Sequence, residues 1–258
     1  MFCLKNNISI MKKLHKTMRN TLFLLFLSFL TACSSAIDSQ GYTQDPWEGM
    51  NRGIFAFNEA VDTAVLKPVA TGYETVVPSP VRISIGNFFG NLNDVGSLAN
   101  AILQLDGQAT AGIGARLINN TIFGLGGILD VATPMGNPKI SKDFGSTLSR
   151  YGVESGPYLV LPLLGPSTLR DGLGKIPDAF LNPLSYVKDD KVYWSLVALN
   201  AVDTRAAFFP LEQRLEGGAT DKYAAMRDYW LQYRWQQLGK SVSDAQQEDI
   251  DALFAPAE

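Results

Sequence analysis

An all-α fold is what this sequence predicts, with helices joined by Gly/Pro-rich loops and lying in a membrane without simple transmembrane helices. Three observations carry that prediction. Apolar residues recur at helical spacing in several separated segments. Some of those segments are apolar over most of their circumference, as helices buried in protein or lipid are. No segment after the leader reaches the roughly 18 to 20 uncharged apolar residues that a spanning helix needs. The longest uncharged stretch, Ser155 to Leu169, is broken by Pro157, Pro162, Gly165 and Pro166.

The leader is read first because it sets the mature chain. Lys5, Lys12, Lys13, Lys16 and Arg19 stand ahead of the apolar run Leu22 to Leu30, with no acidic residue among them. Leu30-Thr31-Ala32-Cys33 follows, which completes the positive, apolar and small-residue order of a secretory signal. The cysteine makes it a bacterial lipoprotein signal, with 1–32 removed and lipid attached to Cys33. Starting at Met11 or Met18 would give the same product. Ser34 stands where an aspartate would favour retention in the inner membrane, so the outer membrane is the expected destination. Residues 33–44 form a small, polar tether, 45–238 one helical domain, and 239–258 an acidic tail expected to be disordered.

Processing also subtracts chemistry. Cys3 and the single histidine, His15, leave with the signal. What remains has no histidine and no thiol beyond the acylated Cys33, which excludes disulfides, cysteine nucleophiles, histidine bases and His- or Cys-ligated zinc. No cofactor and no metal are expected. Removing 32 of 258 residues leaves 226, enough for one sizeable core. The signal takes five of the 22 basic residues and none of the 25 acidic ones, so 17 face 25 and the mature charge is about −8. That balance lacks the basic footprint of a nucleic-acid binder.

The elements follow in order. Asp45-Pro46-Trp47-Glu48 reads as a helix start, with Asp45 as N-cap and Glu48 reaching back in a capping box. Met50, Ile54, Phe57, Val61 and Val65 then share one face, Asn51, Arg52, Asn58, Glu59 and Asp62 the other, and Lys67-Pro68 ends the helix. Ser79-Pro80 opens a second helix with Val81, Ile85, Phe88, Phe89 and Leu92 on one face, and the Asn- and Gly-rich stretch from Asn91 to Gly96 interrupts it. Ala99 to Leu105 resumes to an Asp106-Gly107 turn. Gln108 to Phe123 is helical, with its polar groups confined to a stripe of Gln108, Arg116, Asn119 and Asn120.

Gly124 to Gly174 reads as turns and loops holding apolar plugs. Lys191 to Ala207 is a mostly apolar helix with Ser195, Asn200, Asp203 and Thr204 as its polar groups. Thr220 to Leu238, stopped by Gly239, carries Tyr223, Tyr229, Trp230, Tyr233 and Trp235, rings that suit the headgroup level of a membrane and equally suit core packing. The glycines at 124, 126 and 127 miss the dinucleotide spacing and serve turns or close helix contact.

Taken together, several segments resemble the VacJ/MlaA family of outer-membrane lipoproteins, which act in maintaining lipid asymmetry. The match runs through Asp45-Pro46-Trp47-Glu48-Gly49-Met50-Asn51-Arg52 and Phe55-Ala56-Phe57-Asn58, then Phe88-Phe89-Gly90-Asn91-Leu92 and Arg116 to Ala132. Phe144-Gly145-Ser146-Thr147-Leu148, Tyr151-Gly152-Val153, Gly156-Pro157-Tyr158 and Gly165 to Arg170-Asp171 are its most specific part. Asp203-Thr204-Arg205-Ala206 and Asp221-Lys222-Tyr223 with Arg227 complete it. Met50 departs from the aromatic expected there, a conservative change.

The resemblance implies a ring-like helical body in the inner leaflet of the outer membrane, bound to a porin trimer, with a polar-lined channel. Phospholipids misplaced in the outer leaflet would pass through it to a soluble periplasmic carrier and on to an inner-membrane ABC transporter. No catalysis is implied.

Elementary energetics fit such a path. A phospholipid leaving its bilayer exposes on the order of 30 methylenes at about 0.8 kcal/mol each, so release into water is ruled out, while its charged headgroup is costly in hydrocarbon. Helices with narrow polar stripes answer both if the stripes share a lumen. Gln108, Arg116, Asn119 and Asn120 are the leading lumen candidates, with Arg116 a bidentate phosphate partner, and Asn200 and Asp203 are candidates on the later helix. The plainer reading of Arg116 is a structural arginine paired with a carboxylate such as Asp130. Two other functions compete: a membrane-bound lipid hydrolase, which lacks any G-x-S-x-G, and a structural porin-associated lipoprotein, which leaves the polar stripes unexplained.

Overall fold

The computed structural model describes residues 45–216 and 221–239, with the backbone alone at 214–216. The signal, the tether with Cys33 and the tail beyond Gly239 lie outside the described residues. The described chain is mostly helical, and no helix among the described residues is long and apolar enough to cross a membrane.

Helix α1 (Glu48–Val61) starts at Trp47, whose side chain makes no capping bond. The expected capping box is therefore absent. Asp45 is spent elsewhere: its carboxylate accepts from Asn51 Nδ2 at 2.8 Å and from the Tyr223 hydroxyl, and Glu48 pairs with Arg52 one turn on. Nor does Lys67-Pro68 end the helix. Proline has no N–H to donate and crowds the carbonyl four residues back, and the chain answers with one π-helical turn, Asp62–Leu66, in which Lys67 N–H reaches the Asp62 carbonyl. Pro68 then sits in the first turn of a renewed helix, α2 (Lys67–Val76), where a missing donor costs little.

Helix α3 (Ser79–Leu103) runs unbroken through the Asn- and Gly-rich stretch expected to interrupt it. Asn, Asp and Ser weaken helices when their side chains compete for nearby backbone groups. Here Asn91, Asp94, Ser97, Asn100 and the following Gln104 are buried and bonded to other elements. Asn91 reaches Thr121 at 3.1 Å, Asn100 reaches Asp178 at 2.9 Å, and Gln104 donates to Ser146 and Thr147 at 3.0 Å each. Helix α4 (Gly107–Ile122), capped by Asp106, packs back on α3 around Ala101, Ala109 and Ile113.

The segment expected as turns and loops holds more order. Helix α5 (Phe144–Arg150) begins in a capping box formed by Asp143 and Ser146. Strands β1 (Tyr158–Leu161) and β2 (Gly165–Thr168) make an antiparallel hairpin, and α6 (Leu169–Leu181) starts at once behind it, capped by Thr168. Strands of four residues are too short to show alternation, and Gly172, Gly174 and Pro177 dilute the helical signal of α6. Helices α7 (Asp190–Ala207), α8 (Phe209–Glu216) and α9 (Lys222–Gln237) complete the described residues, and Gly239, at φ +66°, stops the last one.

Contacts among these elements close on themselves. The α1 end of the first helix lies on β1, the hairpin on α6, α6 on α3, α3 on α7, and α7 on α2, which continues α1. A closed circuit of helices has two surfaces and little interior, and burial reflects it. Fully buried apolar residues are few and often small, such as Ala70, Ala101 and Ala206, whereas Val76, Ile83, Ile122, Phe123, Phe180 and Trp194 are exposed.

Polar side chains hold the joints. Asn51 donates to the Tyr158 carbonyl at 3.0 Å and accepts from Val160 N–H at 2.9 Å, while Asn58, two turns on, does the same with Leu161 and Leu163. Two asparagines thus complete the hydrogen bonds of a strand edge. Arg234 of α9 grips Asp171 of α6 at 2.9 and 3.0 Å and Asp143 of the α5 cap at 2.6 and 2.8 Å. Gly145 is required beneath it, because a Cβ there would stand 2.3 Å from Asp171 Oδ1.

Burial pushes the Asp143 and Asp171 carboxyls up, but bonds from Arg234 more than offset this and hold both below the usual range. Their stabilising contribution is complete above the unfolded-state value of about 3.9 and disappears as pH falls through the lower folded values. Arg234→Met, which leaves Asp143 without its guanidinium partner and Asp171 with Arg170 alone, is expected to cost about 3 kcal/mol at neutral pH. It should also flatten the loss of stability below about pH 4, as measured by denaturant midpoints across pH.

Candidate functional site

The polar stripe of α4 has a structural occupation. Arg116 is buried, with Nη2 2.7 Å from Asp130, Nη1 donating to Thr133 and to the Asn137 carbonyl at 2.8 and 3.0 Å, and Nε 3.3 Å from Asp94 of α3. Asn120 accepts the N–H groups of Val131 and Ala132 and donates to Asp130. Together they pin the chain after α4 back onto the helix. Gly127, at φ +93°, lets that loop pass over Asn91, which a Cβ would meet at 2.5 Å. Burial opposes ionisation of Asp130, but bonds from Thr133 and Arg116 hold its carboxyl well below the usual range. Asp94 differs: burial raises it, and its Oδ1 has no hydrogen-bond partner among the described residues.

Arg116 and Asn120 are therefore buried in a brace between α4 and the loop behind it. Asn119 is half-buried and Gln108 is exposed on the first turn of α4. The pairing of Arg116 with Asp130 was the plainer reading of the sequence.

A cavity of about 470 Å³ lies between α3, α7 and α8. Asn200 and Asp203, both expected on a lipid path, line it with Thr204. Facing them are Gly86, Phe89, Gly90 and Asn93 of α3, and Lys139 from the loop before α5. Asp203 accepts from the Tyr73 hydroxyl at 2.7 Å, and burial together with that bond pushes the phenol up. Lys139 is held by long contacts only, 3.4 Å to the Gly90 carbonyl and 3.8 Å to Asp94 Oδ1. Lys139 and Asn93 are not legible in the sequence: one of several irregularly spaced bases in a Gly/Pro-rich stretch and an asparagine inside an apparent helix break carry no periodic signal.

The family-motif residues fall mostly at joints. Asn51 and Asn58 lace β1, and Arg52 pairs with Asp221 at 2.6 Å and lies over the Tyr223 ring. Arg170 joins Asp171 at 2.9 Å and the Val153 carbonyl. Tyr151 donates to the Leu103 carbonyl at 2.6 Å, and the Pro157 carbonyl accepts from Leu169 N–H. Gly152 and Gly156 adopt positive φ. Pro46 and Phe57 are exposed. The aromatic helix splits: Tyr223 is buried and Trp230 packs on Tyr158, while Tyr233 is exposed.

A helical circuit with polar joints, bare apolar flanks and a cavity whose polar groups sit among apolar ones such as Phe89, Phe208 and Leu211 defines a membrane-associated helical protein that crosses no bilayer by any described helix. The profile of the family described as MlaA lipoprotein matches residues 43–237. The Escherichia coli K12 protein named intermembrane phospholipid transport system lipoprotein MlaA is 36% identical over 214 residues, 80% of this chain and 82% of its own. Its Haemophilus influenzae namesake is 32% identical, over 79% of this chain and 83% of its own. An uncharacterized Rickettsia felis protein is 35% identical over 184 residues, 71% of this chain and 73% of its own.

A solved structure from work on the structural basis for maintenance of bacterial outer membrane lipid asymmetry superposes with a TM-score of 0.64. It is 35% identical and covers 76% of this chain and 99% of its own. The chain belongs to the MlaA lipoprotein family.

If Arg116 is a brace, Arg116→Met is expected to cost about 3 kcal/mol by leaving Asp94 buried without its main partner. Asn119→Leu, at a half-buried site, should cost less than about 1 kcal/mol. Thermal unfolding in detergent distinguishes the two.

Proposed function

We propose that this chain is an outer-membrane lipoprotein, anchored through Cys33 and seated in the inner leaflet, that removes mislocalised phospholipids from the outer leaflet. Lipid would pass through a polar-lined channel to a soluble periplasmic carrier linked to an inner-membrane ABC transporter, with a porin trimer as the membrane partner. Family membership and the names of its relatives support phospholipid transport between membranes. The observation that carries the finer reading is the cavity between α3 and α7, walled by Asn93, Lys139, Asn200, Asp203 and Thr204 in a protein whose exposed flanks are apolar. A headgroup in that cavity keeps polar partners while its acyl chains lie along apolar surface, so neither is transferred to a medium it cannot tolerate. The lipid path on this reading runs past Asn200 and Asp203, and Arg116 and Asn120 shape the wall behind it.

A hydrolase is less well supported. No histidine follows residue 32, and the carboxylates best placed to act are engaged: Asp130 by Arg116, Asp171 by Arg170 and Arg234, Asp178 by Asn100 and the Phe144 N–H.

Thr204→Phe combined with Asn93→Phe fills the cavity from α7 and α3 and, among the joints, gives up the exposed bond that Asn182 donates to Asn93 at 3.1 Å. The double variant is expected to keep its helical circular dichroism and to lose about tenfold or more in transfer of labelled phospholipid to a periplasmic acceptor. Wild-type transfer would remove the cavity from the path. Fatty acid release would support the hydrolase, and neither transfer nor release by the wild type would favour the structural lipoprotein.

A further inference from the structure

The cavity wall carries one cation and one anion in a fixed relation that the transport reading does not use. Gly86 and Gly90 stand one helical turn apart on α3, so their Cβ positions are about 6 Å apart. Lys139 Nζ lies 2.9 Å from the Cβ position of Gly90, and Asp203 Oδ2 lies 3.4 Å from that of Gly86. Gly90 thus leaves room for the ammonium, and the carboxylate stands at ordinary contact distance from the Gly86 position. They do not meet as an ion pair.

Each charge is held from behind and offered in front. Asp203 gives Oδ1 to Tyr73, which fixes the carboxylate and leaves Oδ2 toward α3. Among the described residues Lys139 has only its long contacts to Gly90 and Asp94, so its ammonium retains donors for a guest. An ammonium donor and a carboxylate acceptor lining one cavity suit a guest carrying the reverse pair. In a phosphoethanolamine headgroup only two carbons separate the ester oxygen from the amine, so the anion and the cation enter together.

We infer that this cavity selects a zwitterionic phospholipid headgroup, with the phosphate at Lys139 and the ammonium at Asp203. The inference rests on the transport reading and adds a substrate class to it. A phosphoglycerol headgroup offers the same phosphate but no cation for Asp203, whose carboxylate then disfavours it. Lys139 supplies capture of either lipid, and Asp203 supplies the discrimination.

The test uses the full-length lipoprotein in detergent, mixed with vesicles of equal parts phosphatidylethanolamine and phosphatidylglycerol. The protein is then re-isolated and its retained lipid quantified by mass spectrometry. The wild type should retain phosphatidylethanolamine in excess. Asp203→Asn should reduce that excess about fivefold, in keeping with a partly solvated charge pair, with total lipid little changed. Lys139→Gln should lower retention of both lipids. Gly90→Ala, which places a methyl 2.9 Å from Nζ, should lower both while keeping every charge. Tyr73→Phe removes the bond that positions Asp203 but keeps the carboxylate, and should reduce the excess less than Asp203→Asn does.

An Asp203→Asn protein with the wild-type ratio, or a Tyr73→Phe protein that loses the excess equally, overturns the inference while leaving transport standing. A wild type that retains neither lipid overturns transport as well.

Discussion

The structure depends on a constraint that ordinary globular proteins do not face: its joints must hold without a large apolar interior. In water, helices associate because burying apolar surface is favourable. Among lipid chains that drive is gone, and association falls to packing and hydrogen bonds between helices. The burial pattern of this chain matches the second regime. Asp94, Asn100, Arg116, Arg170, Asp171 and Arg234 are buried and paired across elements, while many large aliphatic and aromatic side chains face outward. A buried carboxylate is costly alone and tolerable when a guanidinium fills its lone pairs, which is why each of the main joints pairs an arginine with two acids. Arg205 repeats the pattern between α7, the π turn and α8, with Asp62 at 2.7 Å and Glu212 at 2.8 Å.

That constraint explains why a helical protein needs a hairpin. A strand edge offers a row of free N–H and carbonyl groups, normally a liability. Asn51 and Asn58 use it as a docking rail, each making one bond in each direction. Fixing α1 to β1 in this way sets where the first helix starts, and the π turn lets the same helix pass Pro68 and reach α7. Tyr73 and Asp203 meet because of that continuity. The far end of the helix therefore positions one wall of the cavity, and the near end closes the circuit.

Much of this was legible in the sequence and the remainder was hidden for physical reasons. Helices α4, α7 and α9 stand within a residue or two of where apolar periodicity put them, since most of their length obeys local rules. The proline and asparagine stretches misled because tertiary partners overrode local preference: a π turn rescued Pro68, and Thr121, Asp178 and Ser146 satisfied the polar face of α3. That face was visible as a spacing, since Asn91, Asp94, Ser97, Asn100 and Gln104 recur every three or four residues, a stripe as regular as any apolar one. Reading polar residues as helix breakers suits a chain with an apolar core, and this chain has a polar seam. Arg116 shows the same priority: of its two readings, the pairing with Asp130 is the one formed, since a polar residue on an apolar helix has a joint to serve first.

Joint and cavity then follow one rule with two outcomes. Where two polar faces find each other with their bonds saturated, as at Arg234, the helices are locked. Where they face each other with charges held apart, as at Lys139 and Asp203, the gap stays open. Asp94 links the two: Arg116 reaches it from the brace and Lys139 from the cavity, and one of its oxygens is left without a hydrogen bond among the described residues. A carboxylate shared in this way holds the lysine without saturating it. The brace thereby fixes where the cavity's cation stands while leaving its donors free for what enters.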